Sequence, residues 1–243
     1  MPAVRVEVAY RDQFDLFGDT LMLLADSLFR RGALRAWSSC FGSRRALLVT
    51  IVLIVLAALL AWHTWRIALG GNFHTVVPGA IYRCARPEAE ELRRLAMRHQ
   101  LQTVVNLEGE CPETWVEQEH ALGIKLGVGV RDVGIWARQP PSPQELCLLV
   151  DTLATAHAPV LIHCRSGCDR SGLASALALL LRTPATPDEA RRQLSVYYGH
   201  NPFGRATCLD RVLDDYEAWL RERRLVHQAG HLLQWAHHDY VPQ

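Results

Sequence analysis

The chain has almost no lysine. Lys125 is the only one among 26 basic Lys and Arg residues in 243, and no dense run of arginine replaces it. Formal net charge is +1, so bulk charge gives no reason to expect a nucleic-acid partner. Metal-ligand spacing is missing too. Cys164 and Cys168 stand close together with no matching second pair, which excludes a zinc finger or ribbon. Seven cysteines (Cys40, Cys84, Cys111, Cys147, Cys164, Cys168 and Cys208) are odd in number and follow no paired framework. A disulfide scaffold is therefore excluded, and most of them read as small buried thiols. No internal repeat is visible. With 49% hydrophobic and 21% charged residues, the length suits one globular domain plus extra segments.

One long apolar run is present. "ALLVTIVLIVLAALLAWHTWRIAL" begins at Ala46 and carries no charge as far as Trp62. About 20 helical residues cross a hydrocarbon core of roughly 30 Å, and Trp62 and Trp65 fall where an interfacial aromatic belt belongs. A buried core helix is disfavoured by the uniformity of the run, and a cleaved signal by the long segment before it. The expectation is an uncleaved transmembrane helix over 46–66. Arg30, Arg31, Arg35, Arg44 and Arg45 precede it and only Arg66 follows closely. The charge rule then leaves the N-terminus cytoplasmic and the rest of the chain on the far side, although a reactive thiol usually belongs in a reducing compartment. Residues 13–37 read as a helix, lying on a membrane surface or forming part of a loose extension over 1–45.

Beyond the run, "GGNFHTVVPGAIYRCARP" predicts two short strands, and "PEAEELRRLAMRHQ" a helix with acids first and bases last. "TVVNL" and "IKLGVGV" read as strands, with a short helix over Pro112–Leu122 between them, and "RDVGIWARQPPSP" as a loop. Ser142 caps a helix to Ala156, with Glu145 at capping-box spacing. "PVLIHC" is a continuous apolar strand. Helices follow from about Ser171 to Arg182, from Thr186, over Arg205–Arg224 and over Leu225–His238. Strands alternating with helices predict an α/β fold with a central mixed, largely parallel sheet flanked by helices. Ligands in such folds bind beyond the carboxyl ends of the strands.

One such end carries "HCRSGCDRSG". The strand delivers Cys164; Arg165, Ser166, Gly167, Cys168, Asp169 and Arg170 turn tightly into a helix whose free amides face back at the loop. Those amides and the helix dipole make an anion site, and Arg170 adds a bidentate donor for two phosphate oxygens. The same field acts on the thiol. A free cysteine titrates near 8.5, and a helix N-terminus with a nearby cation lowers such a group to roughly 5, about 5 kcal/mol in favour of thiolate. Covalent catalysis through a phosphocysteine follows, with Ser171 donating to the sulfur as it leaves. A cysteine and arginine at this spacing mean little alone. Here they come with His163, Gly167, Ser171, Gly172 and the strand–loop–helix setting.

This stretch resembles the phosphate-binding loop of the cysteine-dependent dual-specificity and tyrosine phosphatase superfamily. "GNFHTVVPGAIYRCARP", "VVNLEGE" and "RRQLSVYYGHNPFG" resemble bacterial dual-specificity-phosphatase-like proteins with one N-terminal membrane helix. The resemblance spans about Gly71 to Leu220. It implies a phosphatase fold, Cys164 as nucleophile, Arg170 as phosphate clamp, Ser171 as leaving-step hydroxyl, and neither metal nor other cofactor. Cys84 stands where a serine is usual, either as packing or as a partner for a reversible disulfide with Cys164.

The leaving oxygen needs a proton, and two aspartates compete to supply it. Asp132 has the spacing and loop setting of the family's acid loop. Asp169 sits inside the phosphate loop, as in some lipid-directed relatives. Arg138 reads as added positive field or a surface residue, and His200 and Asn201 as water-positioning or turn-forming groups. The expected layout is an extension (1–45), a membrane helix (46–66), a phosphatase domain (70–224) and a helical tail (225–243). The expected activity is hydrolysis of phosphotyrosine or related phosphoprotein esters. The alternatives are a phospholipid headgroup phosphatase of the same mechanism, an inactive phosphate-binding module, and a rhodanese-type sulfur carrier.

Overall fold

The structure, a computed structural model, describes residues 44–68, 70–109 and 114–242. The helix expected over 13–37, and Cys40 and Cys111, lie outside the described residues. The chain divides between Ala61 and Trp62 into two compact units.

Helix α1 (Arg44–Ala68) holds Ala46–Trp65, a stretch of 20 residues with mean hydropathy 2.6 and none of it buried. Leu47, Ile51, Leu56 and Leu60 stand exposed. Leaving that much aliphatic surface in water is unfavourable by roughly 25 cal/mol per Å², so the segment calls for a hydrocarbon surround. Trp62 and Trp65 stack with ring centroids 5.2 Å apart. Among the described residues α1 is the one helix long and apolar enough to cross a membrane, which supports a single-pass membrane protein.

The second unit is built on one five-stranded sheet in the order β1-β2-β5-β3-β4. The strands are β1 (His74–Val77), β2 (Ile81–Ala85), β3 (Thr103–Asn106), β4 (Gly129–Asp132) and β5 (Val160–Cys164). Only β1 pairs antiparallel; the other pairings are parallel, as expected of a largely parallel sheet. Strand β5 is buried at every residue, which explains its unbroken apolar reading. Ile162 and Val160 face the larger core with helices α4 (Pro143–Thr155), α5 (Asp169–Arg182), α7 (Cys208–Arg223) and α8 (Ala229–Gln234). Leu161 faces the smaller one, with Tyr82, Cys84, Val104 and helices α2 (Ala89–His99) and α3 (Thr114–Leu126). Between α5 and α7 runs the short helix α6 (Pro187–Arg191).

The capping logic holds in detail. Ser142 accepts from the Glu145 amide while Glu145 reaches back to the Ser142 amide, and Thr186 and Glu189 repeat the arrangement. The expected strand "IKLGVGV" is corrected. Its first half ends α3, because Gly127, at φ +69°, closes the helix with Val128 N–H donating to the Gly123 carbonyl at 2.9 Å, and only the second half reaches the sheet. Helix α5 begins at Asp169, two residues earlier than expected, so Arg170 belongs to its first turn.

Candidate active site

Cys164 ends β5 at the carboxyl edge of the sheet, and the chain turns there into α5. Gly167 makes the turn possible. Its φ is +68°, and a Cβ on it would come within 2.5 Å of the Ala85 amide nitrogen in β2, so only glycine lets the loop lie this close to its neighbour. From behind, two buried side chains hold the loop's carbonyls. Asn72 Nδ2 donates to the Ser166 carbonyl at 3.2 Å. Arg83 Nη2 donates to the Gly167 and Cys168 carbonyls, both at 2.8 Å. A trans peptide sets its N–H opposite its C=O. Three consecutive carbonyls drawn backward therefore turn the amides of Gly167, Cys168 and Asp169 forward. No side chain caps α5, so none of its first amides is taken by a capping side chain. This is a ring of donors for an anion.

The two loop cysteines lie in different surroundings. Cys164 is 2% exposed and packs with the larger core. Cys168 Sγ lies on the rear of the loop, 3.3 Å from the Ser166 carbonyl and 3.6 Å from Asn72 Nδ2. Burial pushes the Cys168 thiol up from its ordinary value, the wrong direction for a nucleophile. Cys84 pairs in register with His163, while Cys164 pairs with Ala85. Cys84 and Cys164 thus point to opposite faces of the sheet and enter different cores, a geometry that favours packing over a disulfide. Burial pushes the Cys84 thiol well up.

Arg170 stands at the mouth, its side chain 16% exposed. Nη1 donates to the Leu107 carbonyl at 3.2 Å, and Nη2 lies 3.8 Å from Glu108 Oε2. Arg86 reaches the same carboxylate oxygen at 3.8 Å. Ser171 Oγ is fully buried and, among the described residues, has no hydrogen-bond partner. Arg165 and Ser166 are exposed.

The two candidate acids are held differently. Asp132 ends β4 in a row that crosses the sheet through Asn106 and His163 to Cys84, one residue out of phase with Cys164. Its Oδ1 accepts from Asn106 Nδ2 at 2.7 Å, and its Oδ2 lies 2.5 Å from His120 Nε2. Next along the row, His163 Nε2 lies 3.0 Å from Glu119 Oε1, off the line a hydrogen bond requires. Asp169 opens α5 where the loop ends. Its Oδ1 lies 2.7 Å from His200 Nδ1, and His200 Nε2 lies 3.0 Å from Asp210 Oδ2. The hydrogen bonds that His200 donates to Asp169 and then to Asp210 raise its pKa to about 9. The structure thus sets Asp169 at the junction of the Cys164 loop with α5, and Asp132 on the sheet face opposite Cys164.

The family model for the Swiss Army Knife DSP-PTPase phosphatase domain matches residues 71–207. The chain belongs to this family. It is a cysteine-dependent phosphatase. No curated protein matches it. Among solved structures, it is similar to TpbA from P. aeruginosa at 22% identity, covering 63% of this chain and 92% of that one with a TM-score of 0.48. It is also similar to the core catalytic domain of the PP-IP phosphatase SIW14 from S. cerevisiae (22% identity, 63% and 93% covered, TM-score 0.44) and to a phosphatase from Neisseria meningitidis (18%, 58% and 97%, 0.45).

In this phosphatase the sequence reading and the structure part company at the loop's supports. Arg138 is exposed, and Asn201 Oδ1 accepts from the Phe203 amide at 3.0 Å, a turn contact. His200 is buried in the aspartate chain rather than in a turn. Asn72, Arg83, Glu108, Glu119 and Asp210 went unread. Arg83 had a signal, a charge inside the otherwise apolar strand "IYRCA" on an inward phase. The others lie far from the motif and give none.

Proposed function

We propose that the phosphatase hydrolyses phosphotyrosine or related phosphoprotein esters through a phosphocysteine on Cys164. The observation that supports this most is the set of three loop carbonyls drawn back by Asn72 and Arg83, which turns the following amides toward the place a phosphoryl group would take beside the sulfur. In this reading Cys164 thiolate attacks phosphorus and the ester P–O bond breaks. Arg170 clamps two oxygens, and the amides of residues 165–170 hold the others. The leaving oxygen takes a proton from the second carboxyl oxygen of Asp169, whose first oxygen is held by His200 Nδ1–H. Water then attacks the phosphocysteine, the S–P bond breaks, and Ser171 donates to the departing sulfur. The proton of that water returns to Asp169.

One observation favours a second reading, a phospholipid headgroup as substrate. Asn72, which braces the loop, follows the apolar stretch ending at Trp65 by only a few residues. A linker that short reaches at most about 25 Å when extended. By the charge rule the domain lies on the non-cytoplasmic side of its membrane. The test uses the full-length chain in detergent micelles on a generic aryl phosphate, with Cys164→Ser as control and vanadate as inhibitor. Turnover that survives Cys164→Ser or needs added metal defeats the mechanism. Phosphopeptides against short-chain phospholipids then separate the two substrate classes.

A further inference from the structure

The charge of the cation buried behind the loop has no part yet in this scheme. Arg83 is 0% exposed and projects from the middle of β2. Nη1 donates to the Gln193 carbonyl at 2.8 Å and to Gln193 Oε1 at 3.0 Å, and Nη2 to the carbonyls of Gly167 and Cys168. Nε–H has no partner among the described residues, and the guanidinium lies 4.3 Å from the Tyr198 ring centroid. Every one of these partners is neutral. Among the described residues no carboxylate comes within ion-pair distance. An uncompensated buried charge is strongly unfavourable, and a chain that places one here has a use for it.

We infer that Arg83 is a positioning residue for the phosphatase reaction: its fork fixes two successive loop carbonyls so that their amides face the phosphate, and its counter-charge is the Cys164 thiolate and the bound phosphoryl group. The inference rests on Cys164 being the nucleophile. Burial lowers the Arg83 pKa to about 10, and of the groups that support its charge Cys164 comes first, followed by Tyr198, Cys168 and Asp169. Other charged or titratable groups around Cys164 are His163 on its own strand with Glu119 behind it, Cys84 from β2, and Arg170 from α5. Arg170 stands at the mouth with Glu108 beside it, where water and a carboxylate weaken its field. Arg83 acts from a desolvated position, where a charge is felt more strongly. Packing maintains the arrangement: a Cβ on Gly172 would meet the Gln193 carbonyl at 2.9 Å, so α5 lies close against the residue that orients Arg83.

The test compares the full-length chain in micelles as wild type, Arg83→Met and Arg83→Lys. The readouts are iodoacetamide alkylation of Cys164 from pH 4 to 9, the acid limb of kcat/KM on an aryl phosphate, and vanadate inhibition. Arg83→Met is expected to move the half-alkylation pH and the acid limb upward together by about one unit, roughly a tenfold slower alkylation on the acid side. Arg83→Lys keeps the charge and therefore both midpoints. Its ammonium cannot span two carbonyls and Gln193 at once, so vanadate binding weakens about tenfold. An unmoved midpoint in a folded Arg83→Met protein overturns the inference. If that variant does not fold, Arg83→Lys decides alone, and wild-type vanadate affinity in it overturns the inference. Failure of the phosphatase reading looks different: the wild type leaves the aryl phosphate intact, or Cys164→Ser does not.

Discussion

Asp132 and Asp169 both stand at the carboxyl edge of the sheet, yet their surroundings differ. Asp132 ends a rigid strand with both oxygens engaged, one by the Asn106 amide and one by His120, and its side chain is 9% exposed. Asp169 opens α5 beside Arg170, with one oxygen on His200 and a side chain 26% exposed. Asp132 joins β3, β4 and α3 by hydrogen bonds and is thereby part of the scaffold. Asp169 keeps an oxygen for another partner and backs onto a histidine that carries a proton at neutral pH. What separates them is register: one residue's phase in a strand decides which face a carboxylate serves.

The comparison can be broken at several points. Cys164→Ser sets the scale, with a loss of activity of about 10⁴-fold or more, while Cys168→Ser stays within about tenfold of wild type because its sulfur lies behind the loop. Were Cys168→Ser the silent variant on an aryl phosphate and Cys164→Ser active, the loop would have to be read the other way round. Next in size is Asp169→Asn. Loss of a general acid lowers kcat by about 10²- to 10³-fold on a phosphopeptide with a poor leaving group and far less on an activated aryl ester. The basic limb of the pH–rate profile disappears with it. Retention of that limb in Asp169→Asn, with its loss in Asp132→Asn, would reverse the assignment.

Much of the site was legible because it is local. Strand, loop cysteine, turn glycine, arginine and helix follow one another in "VLIHCRSGCDRSG", and each has a physical reason to be where it is. The capping boxes at Ser142 and Thr186 were legible for the same reason, their partners lying three residues away. The loop's rear was not. Asn72 and Arg83 reach Ser166 and Gly167 across 94 and 84 residues of sequence, and no local periodicity reports a contact of that range. The setting of Asp132 was not legible either, because spacing places a residue along the chain but not on a face of the sheet. The end of α3 was misread because "IKLGVGV" reads as one strand, while Gly127 at φ +69° closes a helix inside it.

His200 offers a smaller effect that sharpens the contrast from the side of Asp169. Its folded pKa, about 9, lies above the ordinary value of 6.5. A raised value means the folded state binds the proton more tightly, so the stabilisation is complete below pH 6.5 and is lost as pH rises through 9. The full span is roughly 3 kcal/mol. Thermal unfolding followed from pH 6 to 10 should show the midpoint falling over the upper part of that range, and His200→Gln should flatten the fall. An equally steep fall in His200→Gln would assign the effect to other groups and release Asp169 from its supposed partner.

The smallest change belongs to Asp132→Asn, and it tests the scaffold reading most directly. The substituted amide can still accept from Asn106 through its oxygen, and its new N–H can donate to His120 if that ring takes the other tautomer. What is lost is the charge on the acceptor, worth about 1 kcal/mol. Catalysis on a phosphopeptide should stay within about threefold of wild type with both limbs of the pH profile in place. Asp132→Ala leaves the fully buried Asn106 amide without its carboxylate and should cost about 1–3 kcal/mol in chemical denaturation, again with the pH profile unmoved. A carboxylate that matters to folding in this graded way and not to proton transfer is a sheet fastener. Should Asp132→Asn instead lower kcat a hundredfold at unchanged stability, the carboxylate must leave Asn106 and His120 during turnover, and the row across the sheet would be a resting state rather than a scaffold.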